Sequence, residues 1–147
     1  MTATDLRPPF RFSFRTRVGF DETDAAGIVY YGRYMPYFDR ARVEYLRHLA
    51  LLGHTHGPGI SQFVMRAQHV SYHAPAEFDD ELEVFVRVRR IGRTSMTWEF
   101  DAVDLDTAAH LASANQTLVH VDASRRPLDV PADVRAAVAG FEWEIES

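Results

Sequence analysis

The sequence predicts an α+β domain with one antiparallel β-sheet and one long buried α-helix, which the sheet can cover if it curls around it. Three observations carry this expectation. Residues 34–52 repeat apolar side chains at helical spacing, and from residue 63 onward apolar and polar residues alternate in runs separated by short turns. The order is one strand, one long helix, then four strands. That leaves a sheet with one apolar face and a single helix to cover it.

The first strand is RFSFRTRV, residues 11–18, which alternates as a half-buried strand should. Residues 1–10 read as an N-terminal extension and 11–147 as a single domain, long enough for one core without disulfides or metals. DETDAAGIVYYGRY, residues 21–34, is a loop. The helix follows, with Tyr34, Tyr37, Phe38, Ala41, Tyr45, Leu46, Leu49 and Leu52 in one apolar stripe. Pro36 belongs in its first turn, which sets the start between Gly32 and Tyr34. Gly53 is the expected stop. HTHGPGI, residues 54–60, is a loop before the second strand, Phe63 to Tyr72.

After the loop HAPAEFDDE, the third strand runs from Glu81 to Arg89, with Leu82, Val84, Val86 and Val88 alternating with mostly polar residues. Gly92 marks a turn, and Met96, Trp98, Phe100 and Ala102 share one face of the fourth strand. DLDTA turns into a fifth strand, Leu111 to Val121, and Pro131 to Val138 form a short terminal helix. Short turns between successive strands imply antiparallel pairing.

Composition narrows the function. The 46% apolar and 25% charged fractions are those of a soluble globular protein. No apolar run approaches membrane-spanning length and the N-terminus lacks a signal-peptide pattern, so no membrane partner and a cytoplasmic location are expected. A net charge of −5 argues against nucleic acid as a partner. With no cysteine, disulfides, thiolate metal sites and a cysteine nucleophile are excluded. All 16 basic residues are arginine, so a lysine Schiff base is excluded and any phosphate clamp must be built from arginine.

The seven histidines lack a metal-binding spacing or acidic ligand pairing, so no metal is expected. There is no G-x-S-x-G elbow and no phosphate loop.

Asp24 stands just ahead of the most apolar helix. Read by position alone it is a turn or capping residue. Its surroundings change that reading. Thr23, Asp24, Gly27, Val29, Tyr30, Tyr31 and Tyr34, followed by Phe38, Asp39, Ala41 and Arg42, match T-D-x-x-G-x-V, an aromatic pair, a tyrosine and an F-[DE]-x-A-R run. Ile91, Gly92, Arg93, Thr94 and Ser95 form a second block. Together these blocks resemble the 4-hydroxybenzoyl-CoA thioesterase family of hotdog-fold proteins, and the order of elements agrees from about residue 11 to 139.

The resemblance implies a sheet wrapped around a central helix, a homodimer or homotetramer with sheets joined edge to edge, and active sites between subunits. It implies hydrolysis of an acyl-CoA thioester without a cofactor. Asp24 would act as general base or as nucleophile. The backbone N–H of Tyr31, with that of Gly32, would hold the oxyanion, since the first N–H groups of a helix are unpaired and carry about half a positive charge. Gly27 allows close backbone approach. Arg90 and Arg93, with Arg89 beside them, would meet coenzyme A phosphates, and Thr94 and Ser95 the pantetheine arm. A solvated, salt-bridged sheet edge is the ordinary alternative for these arginines. An acyl-carrier-protein thioester or a non-catalytic acyl-binding role are the rivals. A hydratase or dehydratase would need a histidine beside the acid. One departure stands out: the family's asparagine is Arg33 here, which would close the pocket, meet an acidic acyl group or, the preferred reading, point to solvent.

Overall fold

Five alternating runs become five strands in the computed structural model, which describes residues 7–55 and 62–146, with only the backbone of His54. In chain order the elements are β1 (Phe12–Arg17), α1 (Tyr34–His48), α2 (Leu52–Thr55), β2 (Gln62–Tyr72), β3 (Glu81–Ile91), β4 (Ser95–Asp104), β5 (His110–Val121) and α3 (Ala132–Phe141). Short 3-10 turns at Phe20–Glu22 and Tyr31–Arg33 precede α1. The strands form one sheet in the order β1-β3-β4-β5-β2, every neighbouring pair antiparallel. This is the hotdog fold.

One face of the sheet packs on α1. The helix buries Tyr34, Tyr37, Phe38, Ala41, Tyr45 and Leu46. Phe38 lies 5.1 Å from Phe100, and Tyr45 5.0 Å from Trp98. Each such large side chain contributes about 1.5–3 kcal/mol by leaving water. One polar chain crosses this core. Arg42 of α1 pairs with Asp39 and donates to the fully buried Gln116 of β5 at 2.5 Å, and Gln116 donates to Gln68 of β2 at 3.3 Å. These bonds satisfy groups that would otherwise be costly to bury, and they fix the rotation of α1 on the sheet.

Two sequence expectations need correction. The apolar stripe continues to Leu52, but α1 stops at His48, and Gly53 lies inside α2. Ala50 takes a left-handed φ of 59°. The Leu51 N–H donates to the Leu46 carbonyl and the Ala50 N–H to that of Arg47, the Schellman ending usually built on glycine. Leu46 and Leu51 are both buried there, so the stripe continues through a bend rather than a longer helix. Secondly, β2 does not neighbour β3. It pairs with β5 at the far edge, and residues 73–80 cross back to start β3. Of the expected loop 54–60, His54 and Thr55 belong to α2, and the rest lies outside the described residues.

α3 closes the end of the molecule opposite the start of α1. Val134 and Val138 are buried, Phe141 packs on Tyr45, and Arg135 donates to the Gly92 carbonyl in the β3–β4 turn. The tail then runs beside β3, where Ile91 and Glu146 exchange backbone contact and Glu146 donates to Arg89.

Candidate active site

Asp24 sits in a tight hairpin. Thr23 and Val29 bridge across it, the Asp24 N–H donates to the Ile28 carbonyl at 2.9 Å, and the Gly27 N–H to the Asp24 carbonyl at 2.9 Å. Gly27 closes the turn at φ 79°, a left-handed conformation that glycine adopts without penalty. The side chain of Asp24 is exposed, and its Oδ1 accepts the Ala26 N–H at 2.8 Å. Asp24 is therefore a turn residue in geometry. The turn also orients its carboxylate and leaves Oδ2 unengaged; among the described residues Asp24 forms no ion pair.

The chain next passes Ile28, which bridges Glu77, and Val29, whose N–H donates to the Ala76 carbonyl. It then enters the 3-10 turn Tyr31–Arg33. The Arg33 N–H is paired with the Tyr30 carbonyl and the Tyr34 N–H with that of Tyr31. Among the described residues, the N–H groups of Tyr31 and Gly32 have no backbone acceptor, as expected where a helix begins.

A cleft of about 330 Å³ opens beside this turn, lined by Ile28, Val29, Tyr31, Tyr34, Tyr72 and His73, with Ala74 and Pro75. Three of these are tyrosines in mutual contact: Tyr72 is 4.6 Å from Tyr31 and 5.7 Å from Tyr34, ring to ring. Tyr34 is almost wholly buried. Burial, and then the neighbouring Tyr72, push its pKa up to about 12, with the Ala76 backbone amide opposing the rise. It therefore stays protonated throughout the neutral range. Asp24 does not line this cleft; its backbone is paired with Ile28, which does.

The second block lies elsewhere. The loop holding Asp24 abuts the start of β3, where Val18 and Asp80 are hydrogen-bonded and Ile28 bridges Glu77. Arg93, Thr94 and Ser95 follow its end. β3 has 11 residues, so the two blocks are separated by roughly 33 Å of strand. Within one chain Asp24, Gly27, Tyr31 and Gly32 lie in the segment that abuts the start of β3, and Arg90, Arg93, Thr94 and Ser95 lie towards its opposite end.

Of the arginines, Arg93 pairs with Asp129 at 2.6 Å and Arg89 with Glu146 and Glu99. Arg90 is exposed and has no ion pair among the described residues. The Thr94 carbonyl accepts the His120 N–H and the Ser95 carbonyl the Gly92 N–H, so both residues build the turn. Arg33 departs from the preferred reading. It is half-buried beside the Tyr30 ring, 5.7 Å from its centroid, with Nε shielded and without a hydrogen-bond partner among the described residues.

A larger cavity of about 460 Å³, lined by Arg7, Glu83, Phe85, Val103 and Asp104 among others, lies on the outer face of the sheet and contains none of the anticipated residues. No group of three His, Asp or Glu side chains among the described residues is arranged to hold a metal ion, and no described helix is long and apolar enough to cross a membrane. Sequence reasoning missed Tyr72 and His73. Tyr72 ends an ordinary strand pattern, and nothing local announces that β2 ends beside the start of α1.

Residues 18–138 match the model of the thioesterase-like superfamily. The chain belongs to that superfamily. Within it, the chain is 32% identical over 126 residues to the acyl-CoA thioester hydrolase YbgC of Escherichia coli, covering 85% of this chain and 93% of that one. It is 33% identical over 131 residues to the acyl-CoA thioesterase YbgC of Haemophilus influenzae, covering 86% and 93%. A thioesterase-superfamily crystal structure from Jannaschia sp. CCS1 superposes with a TM-score of 0.84 at 22% identity, covering 96% of this chain and 89% of that one, a likeness of fold. This thioesterase-like chain is an enzyme, a thioester hydrolase.

Proposed function

We propose that the protein hydrolyses an acyl-CoA thioester to a free acid and coenzyme A at the start of α1. The observation that carries this is the pair of unengaged N–H groups at Tyr31 and Gly32, beside a hairpin that presents the Asp24 carboxylate. Two successive N–H donors at the start of a helix suit the oxygen of a thioester carbonyl, which gains negative charge as the carbonyl is attacked. Asp24 supplies the attack, either by taking a proton from water or by adding to the carbonyl itself. The acyl-CoA substrate is also what the curated relatives act on by name.

The separation of the two blocks supports a site shared between two copies. β2 is an edge strand running from the Arg93 end of the molecule to the Asp24 end. If two copies pair antiparallel through β2, the Asp24 end of one faces the Arg93 end of the other. Arg90 and Arg93 then stand where the phosphates of coenzyme A emerge, with Thr94 and Ser95 along the pantetheine arm.

A thiol-release assay over a panel including butyryl-CoA and benzoyl-CoA, run with Asp24→Asn, tests this proposal. The variant is expected to lose ~10²–10⁴ in kcat. Undiminished turnover would defeat the role given to Asp24.

A further inference from the structure

The peptide unit joining Tyr31 to Gly32 supplies one of the two free N–H groups, and its opposite pole is engaged. The Tyr31 carbonyl accepts the backbone N–H of Tyr34 and, at 3.3 Å, the phenol O–H of Tyr72. In a trans peptide the C=O and N–H point in opposite directions, so whatever holds the oxygen aims the hydrogen. Local structure holds it through the Tyr34 N–H. The next residue is glycine, with the widest torsional range, and Tyr31 is 69% exposed.

Tyr72 comes from outside this segment. It is the last residue of β2, fixed by its pairing with Ala112, and its ring rests on both Tyr31 and Tyr34. A hydrogen bond to an amide oxygen also polarises the amide and strengthens its N–H as a donor.

We propose that Tyr72 is a positioning residue for the hydrolysis: its hydroxyl locks and polarises the Tyr31–Gly32 peptide so that the Gly32 N–H is aimed at the thioester oxygen. This rests on the oxyanion reading given above. Tyr72 touches no reacting atom; it acts through the peptide. Its influence grows as charge develops on the oxygen, so it acts on kcat rather than on substrate binding.

Tyr72→Phe keeps the ring against Tyr31 and Tyr34 and removes only the hydroxyl. In the thiol-release assay with butyryl-CoA and benzoyl-CoA, kcat is expected to fall about 5–30-fold with KM within about twofold and an unchanged thermal midpoint. An unchanged kcat overturns the proposal. A rise in KM at constant kcat also overturns it, making Tyr72 a wall of the cleft. The second readout is the infrared carbonyl band of the same thioesters, isotope-labelled at the carbonyl and bound to Asp24→Asn. The band is expected below its solution frequency, and adding Tyr72→Phe is expected to move it back towards that frequency. A band at the solution frequency with Tyr72 intact overturns the oxyanion reading itself. A lowered band that is identical with and without the hydroxyl overturns the role of Tyr72 alone.

Discussion

Gly27 carries the hairpin that presents Asp24. Space is not the constraint, since a Cβ there would meet nothing within 4 Å; the φ of 79° is. Gly27→Ala imposes about 1–2 kcal/mol of left-handed strain, which the exposed hairpin relieves by opening. Turnover is therefore expected to drop more than thermal stability, and Gly27→Asn, better suited to that conformation, to retain more of both. Kinetics beside a melting curve for each variant checks this. Gly27 and Asp24 were legible in the sequence because turn chemistry is local. Tyr72 was not, because its partner is 41 residues away. Glu142 was equally silent. It is buried, accepting the Tyr45 hydroxyl at 2.5 Å and the Val88 N–H at 3.0 Å. Burial raises its pKa, against the lowering effect of those two hydrogen bonds and of Arg87 and Arg11. The folded protein thus holds this proton more tightly than the unfolded chain does. Its contribution to stability is largest below the ordinary value of 4.5 and declines as pH rises from there through the folded-state pKa. Glu142→Gln, whose amide oxygen accepts both bonds, is expected to flatten that decline in denaturation measured across pH.

At the scale of elements, the start of α1 was legible and its end was not. Pro36 falls in the first turn, as its missing N–H requires. The end is a Schellman turn on Ala50, and alanine announces no stop. Ala50→Gly relieves about 1–2 kcal/mol of strain and costs about 0.4–1 in unfolded-chain entropy. A net gain of about 0.5–1 kcal/mol is expected in urea denaturation at fixed protein concentration. The strands were legible one by one from their alternation, and the meander β3-β4-β5 followed from short turns. The placement of β2 beside β5 depends on side chains meeting across the fold, the Gln116–Gln68 pair among them, and no local pattern encodes it. The same applies to the site. The motif picked out two blocks of candidate residues, while only the topology shows that a strand as long as β3 separates them.

For the whole molecule, that separation makes a prediction about assembly. If each site takes Asp24 from one copy and Arg93 from the other, Asp24→Asn and Arg93→Ala are each impaired. Mixing them after dissociation is expected to restore about a quarter of wild-type activity, from the one intact site in each mixed dimer. No recovery would mean that each copy works alone. If such an assembly forms, the edges of the sheet would limit it to a closed form. Its two rims are unequal. β2 offers an 11-residue, largely exposed edge, while β1 is six residues long with exposed Arg15 and Arg17. Beyond β1, the tail at Glu146 occupies the backbone of β3. A sheet with one naked border and one guarded border joins its own kind once and then has nowhere left to grow. Deleting residues 144–147 would strip the guard and is expected to turn a self-limiting particle into one that stacks into fibrils, visible as rising light scatter on storage.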